Sequence, residues 1–457
     1  MPSSIDKATD ASASATPPRS GRILRAGVAP AETLSSAFAP CESSLLLCCA
    51  RTELDADHLA QAQALLSEPI AWPVLLELGS RHRVLPLLAK NLQQLAGTAK
   101  IPADVVARLR AFAAGNAVQA LMLAHELSKL LEMLAAEGIA AAPFKGPVLA
   151  REVYGDVALR HAGDLDLLVR PADIVRAKGL FDRLGYASIY PTSTPREQRY
   201  LKGLSPAQAA GYLQSHSEHH LLRADGLVTV DLHWDLAPRD FSARVEAEQL
   251  WSWLSPRGDP PAPAFRDPEL LLVLCLNGAK DAWGRLDRVC DVAELIRRRP
   301  NLDWARVMEL AARLGWRRIF GLGLLLAHRL LELPMPAEIE PDVRRDDVAA
   351  RLADQSIRRM FRPRAAAVEG ATAAKAMYYL QVRERLSDRV RYCANQLAPT
   401  VGDRAAMPLP RGMGFVHWML RPMRLAGRHV SAAMRNSRGA TENPRKAGGK
   451  WIEITRR

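Results

Sequence analysis

Apolar residues recur every three or four positions over long stretches of this chain, and that spacing predicts helices. The longest such stretch is Ala/Leu-rich and runs over residues 103–137, where Gly138 stops it. Shorter ones start at Ala71-Trp72-Pro73 and continue through Leu85 toward Leu92 and Leu95. Residues 41–137 therefore read as an N-terminal helical region. The same spacing returns over residues 268–283, 286–298, 303–314 and 316–331, with Asp303 as the expected N-cap of the third. Residues 365–397 read as one long helix or two. Residues 266–420 are taken together as a C-terminal helical domain.

Between these blocks, over residues 138–265, the period changes and predicts an α/β core. Ile139 to Phe144 is a short apolar run suited to a buried strand. Lys145-Gly146-Pro147 follows, and proline is favoured at the start of a helix because its missing N–H would be unpaired there anyway. Val148 to Tyr154 is long enough for a short helix. Next comes Asp164-Leu165-Asp166-Leu167-Leu168-Val169. Side chains alternate faces along a strand, so Asp164 and Asp166 share one face while Leu165, Leu167 and Val169 face a core. Residues 172–184 predict a helix ended by Gly185, and Tyr186 to Tyr190 a strand. The polar stretch 191–215 is a candidate flap.

Asp225-Gly226 lies between two β-like runs, a two-residue hairpin signal. Counting outward from that turn pairs Leu222 with Thr229 and His220 with Asp231. Directly opposed side chains have Cβ atoms ~4.5–5.5 Å apart, so His220 is expected to touch Asp231. A one-residue slip would bring His219 there instead.

Two carboxylates on one strand face repel each other unless a cation lies between them, and Mg²⁺ is commonly held by one or two carboxylates plus substrate phosphates. The succession of strand, Lys145-Gly146 turn, helix, Arg160 and Asp164 to Val169 resembles the nucleotidyltransferase superfamily that includes DNA polymerase beta. More closely, it resembles a bacterial family of largely uncharacterised nucleotidyltransferases. The third carboxylate such proteins need is supplied here by Val230-Asp231-Leu232-His233-Trp234. The resemblance covers roughly residues 45–420.

The resemblance implies an α+β fold: a polymerase beta-like mixed-sheet core flanked by N-terminal and C-terminal helical regions. It implies transfer of an NMP from an NTP, with ATP the expected nucleotide, to a hydroxyl-bearing acceptor, releasing pyrophosphate. Asp164, Asp166 and Asp231 would be the catalytic carboxylates and the ligands of Mg²⁺, with Mn²⁺ as the alternative. Two such ions ~3.5–4 Å apart stabilise the attacking and leaving oxygens of an in-line displacement. Lys145, Gly146, Arg160 and Lys280 would contact the nucleotide, and His220 and His233 would orient the metal-binding carboxylates from behind. The superfamily's turn usually reads G-G or G-S; here Pro147 follows Gly146, so one N–H and one hydroxyl are missing and Lys145 would substitute. For Arg160 the plain alternative is an ion pair with Asp156 or Asp164. C-terminal helices in this superfamily often close over base and sugar, which makes Lys280, Asp281, Arg288 and Asp291 candidates to face the cleft. The family more often carries His at the position of Asn277.

Composition narrows the picture little. With 457 residues, 48% hydrophobic and 24% charged, the chain has room for two or three globular domains. No apolar run approaches the ~18–20 residues of a membrane span. The six cysteines form no C-x-x-C pair, so reduced cytoplasmic thiols are expected rather than a disulfide or zinc framework. Of the net charge of +13, residues 421–457 hold +8, ten cations against Glu442 and Glu453. The high pI thus describes a basic tail, expected to be disordered like the Ala/Ser/Thr/Pro-rich residues 1–40. Two rivals remain. One is a catalytically silent binding or regulatory module on the same fold. The other is a metal hydrolase built from His216, His219, His220, His233 and Asp231, which lacks any H-E-x-x-H spacing. The acceptor is left open among a protein, a peptide, a small metabolite and a sugar, with nucleic acid kept as a candidate that no motif supports.

Overall fold

Five helices come first in the computed structural model of the chain. They are α1 (Pro40–Cys49), α2 (Ala56–Leu66), α3 (Trp72–Arg81), α4 (Leu85–Leu95) and the long α5 (Ala103–Ala136). The structure describes residues 40–97, 100–189, 217–238, 241, 245–257, 262–362, 371–398, 416 and 418–421. Residues 1–39 and 422–457 of the expected tails, the candidate flap and His216 lie outside the described residues. Asp55 caps α2 by accepting the His58 N–H, and Gly138, at φ 68°, lets the chain turn sharply after α5.

The α/β core follows: β1 (Ala141–Pro143), α6 (Gly146–Leu149, running on as a π-helical turn to Tyr154), β2 (Leu165–Val169), α7 (Ile174–Arg183), β3 (Tyr186–Ile189), β4 (Glu218–Arg223) and β5 (Thr229–His233). After the short α8 (Ala247–Trp251), β6 (Leu254–Arg257) and β7 (Ala262–Phe265) form a separate hairpin. The helices after it are α9 (Asp267–Lys280), α10 (Leu286–Arg298), α11 (Trp304–Leu314), α12 (Arg317–Leu331), α13 (Glu340–Arg344), α14 (Asp347–Met360), α15 (Ala371–Gln381) and α16 (Leu386–Leu397). Asp303 caps α11 as its position predicts, accepting from the Arg306 N–H. The expectation of an α+β chain, mostly helical around a mixed sheet, holds.

The main sheet has five strands in the order β1-β2-β5-β4-β3, with β2 and β5 parallel and the other neighbours antiparallel. Its two faces pack differently. Leu165, Leu167 and Val169 of β2 join Val230 and Leu232 of β5 against α5 and α7, through Leu123, Leu127, Leu130 and Phe181. Burying each such side chain contributes roughly 1.5–3 kcal/mol. On the opposite face Ala142 and Leu168 join the larger helical core, which includes Leu271, Val289 and Leu322. That second face, where β2 and β5 carry acids instead of leucines, opens into the site.

Two local readings change. Asp164 precedes β2 rather than forming its first residue. The β6–β7 hairpin carries no strand signal, since Pro256 and Pro263 argue against one; here they face each other across a two-stranded pair. No helix among the described residues is long and apolar enough to cross a membrane. All six cysteines are free thiols.

Candidate active site

The turn from β1 into α6 sets one wall of the site. Gly146 has φ 57°, and a Cβ there would lie 2.9 Å from the Asp164 carbonyl oxygen. Only glycine meets both demands. Lys145, just before it, donates from Nζ to Asp166 Oδ1 at 2.8 Å and lies 4.7 Å above the Phe144 ring.

Strand register builds the centre. Parallel pairing sets Asp166 opposite Asp231 and Leu168 opposite His233. Antiparallel pairing on the other side sets His220 opposite Asp231 and Glu218 opposite His233. Two adjacent rows therefore cross three strands on one face, Asp166-Asp231-His220 and Leu168-His233-Glu218. The hairpin count made from Asp225-Gly226 holds: His220 Nδ1 lies 2.6 Å from Asp231 Oδ1. His219 points to the other face, 2.9 Å from the Ser188 hydroxyl. His233 bridges the rows, with Nε2 3.0 Å from Asp166 Oδ1 and Nδ1 3.2 Å from Glu218 Oε2.

One ligand atom each from Asp166, Asp231 and His233 all lie within 4.8 Å of one another. The sequence pattern leads one to expect Asp164 in that group and His233 behind it; the geometry brings His233 in and leaves Asp164 beside it. The register explains why. Stepped back from the Leu165–Val230 pair, Asp164 comes level with Thr229, which offers no carboxylate. Asp164 still shares the cavity. Its carboxyl is raised above the usual range by burial first, then by repulsion from Asp166 and Asp231. Burial would also raise Asp166, but Lys145 and the His233 contact hold it well below that range. Glu218 is likewise held down against its burial, by His233 and then Lys280. For His220 the bond to Asp231 is the main cause of a raised pKa. Clustered carboxylates suit a hard divalent cation, and an imidazole nitrogen tolerates a softer one.

These groups open into a cavity of about 190 Å³. Of the expected site residues, Lys145, Arg160, Asp164, Asp166, Asp231, His233 and Lys280 line it, while Gly146 and His220 do not. Lys280 donates to the Leu236 carbonyl at 2.9 Å, and burial, then Lys145, lowers its pKa. Arg160 pairs with neither Asp156 nor Asp164. Its Nε and Nη2 grip the two carboxylate oxygens of Asp291 at 2.9 and 3.0 Å, and the Tyr154 hydroxyl donates to the same carboxylate at 2.7 Å. Asp156 instead caps its own turn, accepting from the Ala158 N–H. Asp281 and Arg288 face the cavity as their mixed surroundings suggest, whereas Asp291 stands behind Arg160 and does not line it.

Five lining residues stand outside the sequence expectations: Arg83, His161, Glu218, Asn277 and Asp287. Glu218 had a signal, since it stands two residues from His220 and so shares its face. Arg83 and Asp287 had none, because they reach the cavity only through the packing of α3, α4 and α10.

No curated protein and no solved structure matches this chain. Residues 68–332 match the model of a family described as an uncharacterised nucleotidyltransferase. That match covers more than half of the chain, including the carboxylates, their histidines and the cavity's cationic wall. The chain belongs to this nucleotidyltransferase family.

Proposed function

We propose that this protein transfers a nucleotidyl group from an NTP, ATP being the expected one, to a hydroxyl-bearing acceptor. The observation that carries the reading is the β2–β5 register, which gathers Asp166, Asp231 and His233 into one ligating group inside a highly charged cavity of a nucleotidyltransferase-family chain. The cavity lining holds five cationic side chains against six carboxylates. Bound divalent cations would tip that near-balance to positive, as a polyphosphate requires.

A divalent cation, Mg²⁺ or Mn²⁺, would be held by Asp166, Asp231 and His233 with Asp164 alongside, and would supply positive charge to phosphate oxygens and acidity to the acceptor hydroxyl. The chain's own groups do the rest. Asp231, oriented by His220, accepts the hydroxyl proton. The hydroxyl oxygen bonds to the α-phosphorus, the bond from that phosphorus to the bridging oxygen breaks, and pyrophosphate leaves. Lys145 shares its ammonium between Asp166 and the phosphates, on a turn that Gly146 fixes. Arg160, clamped by Asp291 and Tyr154, holds the loop before β2 against α10. Lys280 places a further cation at the cavity.

Mn²⁺ titration followed by electron paramagnetic resonance tests the site. Wild type should bind Mn²⁺, more tightly with NTP present, and Asp166→Asn and Asp231→Asn should each lose that binding. An NTP affinity indifferent to Mn²⁺ in all three proteins would contradict the reading.

A further inference from the structure

Arg83 brings an unengaged guanidinium to the cavity from the N-terminal helices. It lies in the turn between α3 and α4 with φ 56°, a left-handed conformation that side-chain-bearing residues rarely adopt. Neighbours fix that turn. Leu286 N–H donates to His82 Nδ1 and Asp287 N–H donates to the His82 carbonyl, each at 3.2 Å. His82 is fully buried, with its ring 5.3 Å from Phe361. Uncommon backbone conformations persist where the surroundings over-determine them, and they cluster at ligand clamps. Among the described residues none hydrogen-bonds or ion-pairs with the Arg83 side chain, although it is half-buried; Asp287 and Asp164 attract it only from a distance.

The same cavity holds two more uncommitted polar atoms. Asn277 Nδ2 and His161 Nδ1 are buried and lack a hydrogen-bond partner among the described residues. His161 is held in place by stacking on Phe112, ring centroids 6.4 Å apart and planes within 8°. Buried polar groups left unpaired are costly, so this wall is shaped for a polar ligand.

Position identifies which part of the ligand. Arg83 Nη1 lies 3.8 Å from where a Cβ on Gly163 would stand, next to Asp164, whose carbonyl packs against the Gly146 turn. Asp231 on β5 and His220 on β4 lie on the opposite side of β2 from β1, the strand that leads into that turn. If the acceptor hydroxyl meets Asp231, the leaving group points toward Arg83. Guanidinium forks bind phosphate oxygens in pairs.

Building on the nucleotidyl-transfer reading above, we propose that Arg83 recognises the β- and γ-phosphates of the NTP, the part that leaves as pyrophosphate. The N-terminal helices thereby supply a triphosphate-selecting residue to a centre whose carboxylates lie on the sheet.

Calorimetry with Mg²⁺ and either α,β-methylene-ATP or AMP tests this on the full chain. Arg83→Gly removes the guanidinium while suiting the φ of 56°, so its melting temperature should not fall. It should weaken α,β-methylene-ATP binding about 10- to 100-fold, the equivalent of one charge-assisted hydrogen-bonding group, and leave AMP binding unchanged. Arg83→Lys should recover only part of the loss. Equal weakening of both ligands, or no change in either, would overturn the assignment. Wild type that binds neither ligand would instead sink the nucleotidyl-transfer reading itself, and this proposal with it.

Discussion

Lys145 Nζ sits 2.8 Å from Asp166 Oδ1, and each side chain is more than nine-tenths buried. Removing one partner of such a pair strands a buried charge, typically at a cost of 3–5 kcal/mol. His233 still touches Asp166, so Lys145→Met should lose about 3 kcal/mol in metal-free urea unfolding, the low end of that range. Saturating Mg²⁺ should then stabilise the variant more than wild type, because the ion takes the ammonium's place. Equal Mg²⁺ stabilisation of both proteins would mean that the ion does not bind at Asp166.

Arg160 and Asp291 are 131 residues apart in sequence, yet they form a two-point ion pair that ties the loop before β2 to α10. Arg160→Met should cost about 3–5 kcal/mol by leaving Asp291 buried and uncompensated. Arg160→Met/Asp291→Leu should be less damaging than Arg160→Met alone, since it removes both charges. Urea midpoints of the two variants give the comparison.

Gly146 and Gly138 both have positive φ, but only Gly146 has backbone within reach of an added Cβ. Gly138→Ala should cost about 1–2 kcal/mol, the left-handed penalty, and leave metal binding intact. Gly146→Ala should cost more and also weaken Mn²⁺ binding, because the Cβ displaces the Asp164 carbonyl. Similar Mn²⁺ affinity in the two variants would contradict this account of the turn.

His82 titrates abnormally because it is buried, with Arg81 adding to the effect; together they push its pKa down to about 3. Below pH ~6.5 the unfolded chain binds a proton at this histidine that the folded chain does not. Its contribution to stability is therefore intact above that pH and is lost as pH falls toward 3. The slope is at most ~1.4 kcal/mol per pH unit. His82→Asn should flatten the urea midpoint between pH 7 and pH 5 relative to wild type. A parallel pH dependence in both proteins would exclude His82 as the cause.

Local signals in the sequence carried further than long-range ones. Gly138, Gly185 and Asp303 mark element ends through backbone freedom and capping, which depend on near neighbours. Asp225-Gly226 gives the β4–β5 register, and with it the His220–Asp231 contact, because a two-residue turn leaves one register open. The parallel pairing of β2 with β5 is of another kind. It brings His233 to Asp166 across 67 residues, and no local pattern indicates that the imidazole would join the carboxylates. The Arg160–Asp291 clamp and the approach of Arg83 likewise depend on how helices dock. Prolines hid the β6–β7 hairpin, since a pair of short strands can tolerate the donors they lack.

The central claim is that the carboxylates on β2 and β5 perform nucleotidyl transfer. The most direct test incubates the protein with Mg²⁺ or Mn²⁺ and each of the α-³²P-labelled NTPs, with and without cell lysate. Asp166→Ala/Asp231→Ala is run alongside. Label is expected on the protein or on a lysate component with wild type and none with the variant, and the labelled species identifies both base and acceptor class. Metal-dependent NTP binding with no label transferred under any condition would contradict the claim and leave a catalytically silent nucleotide-binding module.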